Sequence, residues 1–257
     1  MTDTLPCTFL IPDWPAPAAV RAAVSTREQG LSRGVYAGFN LASHVGDDAA
    51  CVAANRALLQ SALQLPEPPI WLTQVHGTAV LRRQACGEVL PATLEYDACY
   101  TDQPDCVCAV MTADCLPVLF CSRDGQEVAA AHAGWRGLLQ GVLITTLAAF
   151  RAPASEVLAW LGPAIGPASF VVGDEVREQF CQQWATYGID GVAQCFAASG
   201  EAQWQCDLYA LARLQLSQLG VSGVFGGGED TCADSRRFYS YRRDGDTGRM
   251  VSLIWKQ

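Results

Sequence analysis

The sequence predicts a mixed α/β fold, a layered domain with helices packed on mixed sheets, and three observations predict it. Short apolar runs alternate along the chain with segments of helical periodicity. Half of the 257 residues are hydrophobic and 17% are charged, enough for a sizeable core and too apolar for wholesale disorder. No internal repeat, low-complexity tract or linker interrupts the pattern, so residues 1–257 read as one domain.

The elements follow in order. Arg27 to Gly46 is glycine-rich and reads as loops around short strands. Asp47-Asp48 supplies an N-cap for a helix to about Leu63, with Val52, Leu59 and Leu63 on one face, and Pro66 to Pro69 stops it. Ile70–Val75, Val107–Thr112, Leu116–Cys121 and Glu127–His132 are apolar runs of strand length. A Gly-Trp-Arg-Gly turn leads into a helix over Gly137–Phe150, and Val157–Leu161 reads as a strand. Helices are expected over Asp174–Tyr187 and Asp207–Leu219, the second with Leu208, Leu211 and Leu219 near helical spacing. Val221–Phe225 is a strand before three glycines. Phe238–Arg243 and Arg249–Trp255 read as a hairpin joined by Asp244-Gly245-Asp246-Thr247-Gly248.

Charge narrows the partners. Twenty-six acidic residues against 17 basic ones give a formal charge of −9, a field that repels phosphate backbones. Arginine pairs such as Arg82-Arg83 and Arg242-Arg243 do not make a basic face, so no nucleic-acid partner is expected. Lys256 is the only lysine and stands next to the C-terminus, which argues against a buried Schiff-base lysine. Met1 to Trp14 lacks a basic region of the signal-peptide kind. The uncharged stretch Val157–Gly173 is broken by two Gly-Pro steps, so neither secretion nor membrane insertion is expected. The expectation is a cytoplasmic protein. Its twelve cysteines then read as thiols, with Cys99, Cys106, Cys108, Cys121 and Cys195 serving as small core residues.

Chemistry concentrates at a few positions. His44, His76 and His132, the only three histidines, all lie near glycine, which lets a ligand approach the backbone. Asp114 and Cys115 interrupt two apolar runs, a costly arrangement unless the break is a site. His76, Cys115 and His132 together make a three-ligand set that zinc accepts with a fourth position open. The ordinary alternative is a buried cysteine with two unrelated histidines. Asp114 suits either proton transfer or a turn that holds backbone N–H groups. Arg136 suits either an anion near a helix N-terminus or a surface ion pair. Cys232, in a polar loop, is a second thiol to consider. Gly226-Gly227-Gly228 matches a phosphate loop only loosely, since no Gly-Lys-Ser/Thr follows.

Four motifs carry a resemblance: Met111–Val118 (MTADCLPV), Ala131–Gly137 (AHAGWRG), Leu161–Pro167 (LGPAIGP) and Phe238–Gly245 (FYSYRRDG). With Asn40-Leu41, His44–Asp47 and Gln74–Gly77 they span nearly the whole chain, in order. The sequence resembles the laccase-domain polyphenol oxidase family, whose members are also described as purine nucleoside phosphorylases and as peptidoglycan editing factors. The resemblance implies a zinc site, or copper in its place, ligated by His76, Cys115 and His132. It also implies a layered α/β fold distantly shared with cysteine deamidases. Cys232 is followed by Ala233, where the family more commonly shows threonine.

Three histidines cannot build a blue-copper centre and a three-copper cluster, so a full laccase is excluded and copper-dependent polyphenol oxidation reads as a side activity. The function that the resemblance implies is a zinc-dependent purine nucleoside phosphorylase. It would take adenosine, inosine or methylthioadenosine with phosphate to the base and pentose 1-phosphate, with adenosine deamination alongside. Cys115 and Asp114 are the expected catalytic residues and Arg136 the phosphate ligand. The alternatives are a Cys115–His132 cysteine hydrolase acting on a peptidoglycan precursor and an editing partner without turnover.

Overall fold

A computed structural model describes residues 8–85, 87, 88 and 93–257. Cys7, Cys86 and the first seven residues of the N-terminal stretch lie outside the described residues. The chain opens with β1 (Phe9–Leu10), β2 (Val20–Ser25) and α1 (Ala49–Ala62). Five strands follow: β3 (Val80–Arg83), β4 (Ala98–Thr101), β5 (Cys108–Thr112), β6 (Leu116–Ser122) and β7 (Val128–Ala133). Two short helices, α2 (Trp135–Gln140) and α3 (Val142–Leu147), lead to β8 (Val157–Leu161), β9 (Val171–Gly173) and α4 (Asp174–Thr186). The remainder is β10 (Phe196–Gly200), β11 (Gln203–Cys206), α5 (Leu208–Gln218), β12 (Gly223–Gly226), α6 (Tyr241–Asp244) and β13 (Met250–Lys256).

A six-stranded mixed sheet of order β12-β8-β6-β7-β4-β3 forms the centre, with parallel pairs at its two edges. A four-stranded antiparallel sheet, β1-β2-β13-β5, packs on one face of it, and β10-β11-β9 form a small third sheet. The two-residue side-chain period of a strand decides what lies between the layers. In β6, Leu116, Val118 and Phe120 meet Leu138, Leu143, Phe180, Trp184 and Leu211 from the helices. Leu119 and Cys121, one residue out of phase, meet Val110 and Ile254 of the other sheet. The outer face of that sheet, Met111, Val251, Leu253 and Trp255, is covered by Phe39, Leu41 and Leu59. The expected layered α/β architecture with helices on mixed sheets is therefore present.

Local chemistry explains the elements the sequence made legible. Asp48 caps α1 by accepting hydrogen bonds from the N–H groups of Ala50 (2.7 Å) and Cys51 (3.4 Å). Asp207 caps α5 in the same way through Ala210 N–H at 2.9 Å. The five cysteines assigned to the core are buried, and no disulfide joins any of the described cysteines. No helix among the described residues is long and apolar enough to cross a membrane.

Three expectations are corrected. The helix over Gly137–Phe150 is instead two helices, because Gly141 takes a left-handed φ of 97° and breaks the ladder. Ile70–Val75 is not a strand: its polar groups go to side chains and to Leu94 rather than to a neighbouring strand. No hairpin joins Phe238–Arg243 to Arg249–Trp255. Tyr241–Asp244 is a helical turn capped by the Ser240 hydroxyl, and β13 pairs with β2 and β5. The pattern also gave no notice of β1 to β4 or of the small third sheet.

The loop preceding α1 is held by one buried amide. Asn55 accepts a hydrogen bond from Leu31 N–H (2.9 Å) and donates to Ser32 Oγ (3.1 Å) and Asn40 O (2.9 Å). Asn55→Ala leaves these groups unpaired in a site with no solvent access. Urea unfolding should show a loss of about 1–3 kcal/mol.

Candidate active site

The register of β6 against β7 sets the first two side chains. Leu116 pairs with Ala133 and Pro117 with His132, so Cys115, one residue before β6, stands beside the end of β7 that carries His132. On the other edge of β7 the His132 N–H donates to Asp97 O at 2.7 Å, directly before β4. His76 arrives on the preceding loop. There the Gln74 amide pairs with both backbone groups of Met111, each at 2.7 Å, where a strand would have formed its ladder. Val75, His76 and Gly77 then turn three successive N–H groups onto the Asp97 carboxylate, at 3.2, 2.9 and 2.6 Å. The left-handed φ of 60° at His76 belongs to this nest of amides.

The three predicted ligands meet. One ligand atom from each of His76, Cys115 and His132 lies within 4.8 Å of the other two. Cys115 Sγ is 3.7 Å from His76 Nε2, and the two imidazoles meet edge to face at 4.8 Å. His132 is 3% exposed, whereas His76 opens to solvent. Asp97, fully buried, takes His132 Nδ1 at 2.8 Å and leaves Nε2 for the cluster. Burial pushes the Cys115 thiol up, but the charge of His132 and hydrogen bonds from both histidines outweigh it and bring it to about 6. Burial opposes charge on His132 too, yet the Cys115 thiolate and the Asp97 carboxylate raise it to about 9. A thiolate facing two imidazoles, with one ring oriented by a carboxylate, is a donor set that suits zinc or copper.

A cleft of about 470 Å³ opens over the trio. Trp135, Phe170 and Tyr241 give it an aromatic lining, and Arg136, Arg242 and Arg249 bring three guanidinium groups. None of the three has a carboxylate within ion-pair distance among the described residues. Arg136 lies exposed at the start of α2, stacked 4.4 Å over Trp135. Arg242 lies over Phe170 and donates to Val171 O at 3.1 Å. Arg249 is fixed by Thr247 O and Gly248 O.

Asp114 lies beside the trio with its carboxylate already occupied. It accepts from Thr231 Oγ1 (2.7 Å), Ser240 Oγ (3.0 Å) and Arg242 N–H (2.7 Å), in a left-handed backbone with φ of 88°. His44 reaches the cleft wall, and Met111 lines it as well. Cys232 and the three glycines do not line it. Sequence reasoning missed Asp97 and Arg249. The available signal for Asp97 was a carboxylate directly before the apolar Ala98–Tyr100 run.

Comparison with known proteins now bears on this geometry. A family model described as multi-copper polyphenol oxidoreductase laccase matches residues 21–257. The chain belongs to this family. Among its relatives, "Purine nucleoside phosphorylase YfiH" of Escherichia coli K12 is 48% identical over 247 residues, covering 96% of this chain and 98% of the relative. A purine nucleoside phosphorylase of Haemophilus influenzae is 45% identical over 247 residues, covering 95% and 97%. Neisseria meningitidis NMB0706 has a solved structure that superposes with a TM-score of 0.89 at 48% identity, covering 97% of this chain and 99% of that one. Geobacillus stearothermophilus YlmD gives 0.85 at 29% identity, covering 98% and 99%. The family description names several coppers, yet this member has only three histidines, and two of them share one cluster.

Gly134 is the residue against which the trio packs. A Cβ there would lie 2.8 Å from His76 Cδ2 and 2.9 Å from Cys115 Sγ. Gly134→Ala should displace both side chains and weaken Zn²⁺ binding at least ~10-fold in a chelator competition, with the unfolding midpoint little changed.

Proposed function

We propose that the chain is a zinc-dependent purine nucleoside phosphorylase, with residues 1–257 acting as one catalytic domain. The observation that carries the proposal is the cleft itself. Three arginine side chains that form no ion pair among the described residues and three aromatic side chains converge on a His-Cys-His cluster in a chain of net charge −9. Positive charge suits phosphate and aromatic faces suit a purine. The names of the E. coli and H. influenzae relatives support the same reaction.

In this reading inorganic phosphate binds Arg136, with Arg242 and Arg249 adding to the local positive field. The purine lies among Trp135, Phe170 and Tyr241. A phosphate oxygen attacks C1′ of the pentose and the C1′–N9 bond breaks. Its electron pair goes to the base, which takes a proton from solvent, leaving free base and pentose 1-phosphate. Adenosine, inosine and methylthioadenosine all present the bond required. Asp114 acts by position rather than by proton transfer, since three donors engage its carboxylate. His76, Cys115 and His132 hold the metal, zinc or copper in its place, and when bound it supplies Lewis acidity and concentrated positive charge. Deamination of adenosine in the same cleft needs water at a different atom: it adds at C6 of the purine, the C6–N bond breaks, and the amino group takes a proton and leaves as ammonia, giving inosine. The products and substrates are small molecules, consistent with a cytoplasmic enzyme without nucleic-acid or membrane partners.

A second reading rests on the Cys115 thiolate facing His132. Cys115 would attack an amide, as in a peptidoglycan precursor, and His132 would protonate the leaving amine. Chelation separates the two. Protein purified without a metal-affinity tag should release adenine from adenosine only with phosphate present, lose that activity on chelation and regain it with Zn²⁺. Amide hydrolysis that survives chelation, in protein that releases no adenine, favours the hydrolase. Arg136→Ala should raise the apparent KM for phosphate at least ~10-fold while zinc content stays constant. An unchanged phosphate response removes that role.

A further inference from the structure

We infer that Asp97 is the positioning residue of the metal centre, one carboxylate that places two of its three ligands. The inference rests on the metal-centre reading of His76, Cys115 and His132 and goes beyond it. Asp97 is fully buried and belongs to neither apolar partner set nor ligand trio. One of its oxygens meets both histidines, and the other meets the amides that flank His76. Oδ1 takes His132 Nδ1 at 2.8 Å and His76 N–H at 2.9 Å. Oδ2 takes Val75 N–H at 3.2 Å and Gly77 N–H at 2.6 Å, the groups on either side of His76. Its backbone O takes the His132 N–H as well.

An ionised carboxylate is an acceptor on both oxygens, and this site presents only donors. The bond to Nδ1 fixes the proton there and frees Nε2 for a metal. The bonds to the amides of 75, 76 and 77 hold His76 in its left-handed conformation, which a non-glycine residue seldom adopts unaided. A single buried group therefore sets both the tautomer of one ligand and the backbone of another.

Asparagine cannot replace it, although it has the same shape. If the amide oxygen stays near His132, the NH₂ group faces the Val75 and Gly77 N–H groups and repels the loop that carries His76. If the amide turns over, the NH₂ group donates to Nδ1 and forces the proton onto Nε2, the nitrogen needed for ligation. Either way one imidazole is lost from the set while Cys115 remains.

Cobalt(II) is the probe, because its visible bands report the number of nitrogen ligands and its near-ultraviolet charge-transfer band reports the thiolate. Asp97→Asn should raise the Co²⁺ dissociation constant by about 10–100-fold. It should also shift the visible envelope while the thiolate band persists. His132→Ala is measured in parallel. If His132→Ala leaves Co²⁺ binding unchanged, the metal reading fails and takes this inference with it. If His132→Ala weakens binding and Asp97→Asn has wild-type affinity and bands, only the role of Asp97 is overturned. Should Asp97→Asn not fold, histidine ¹⁵N NMR of the Zn²⁺-loaded wild type decides. A ring metallated through Nε2 with a slowly exchanging Nδ1–H, both lost from the spectrum of His132→Ala, supports the inference. Metallation of His132 through Nδ1 overturns it.

Discussion

The pairing of β6 with β7 is the constraint on which the cleft depends. Both strands are buried throughout, between helices on one side and a second sheet on the other. A slip of one residue would turn Leu116, Val118 and Phe120 away from the helices and put their neighbours there instead. The same slip would carry Cys115 away from His132. Core packing and site geometry are thus fixed by one register, and the hydrophobic free energy of the sheet holds the reactive pair together. Gly134 completes the arrangement, since only a residue without a side chain fits against His76 and Cys115.

Loops supply the rest of the cleft, and buried or half-buried carboxylates pin them where strand ladders are absent. Asp97 gathers the 75–77 turn, and Asp114 gathers the segments carrying Thr231, Ser240 and Arg242. Each carboxylate meets several donors, and at Asp97 burial is outweighed by the bonds from His132 and the backbone N–H groups, which hold its pKa below the usual carboxylate value. The consequence is a local reversal of charge. The chain as a whole is acidic, but the acidic groups nearest the cleft are spent on hydrogen bonds while three guanidinium groups face it.

Legibility in the sequence followed the range of the forces involved. Helices α1 and α5 announced themselves through Asp48 and Asp207, whose caps act within three residues. Strands β5 to β8 were visible as apolar runs, because both of their faces are buried. The small sheet β10-β11-β9 stayed hidden: most of β10 is exposed and carries no alternating pattern. Ile70–Val75 had strand composition, yet Gln74 and Asp97 claimed polar groups that a strand would have paired. The supposed C-terminal hairpin failed for a related reason, since β13 found partners in β2 and β5, far away in the chain.

By itself the sequence determined the layered α/β class, the family, and the residue types available for chemistry: three histidines, one cysteine set between apolar runs, and arginine in place of lysine. Those follow from composition, short-range patterning and motif order. Only the tertiary structure decided that His76, Cys115 and His132 share one cluster, that Asp97 orients it, and that Arg249 joins Arg136 and Arg242 over it. These contacts join residues far apart in the chain. Their positions depend on strand register and buried hydrogen bonds, neither of which leaves a local mark in the sequence.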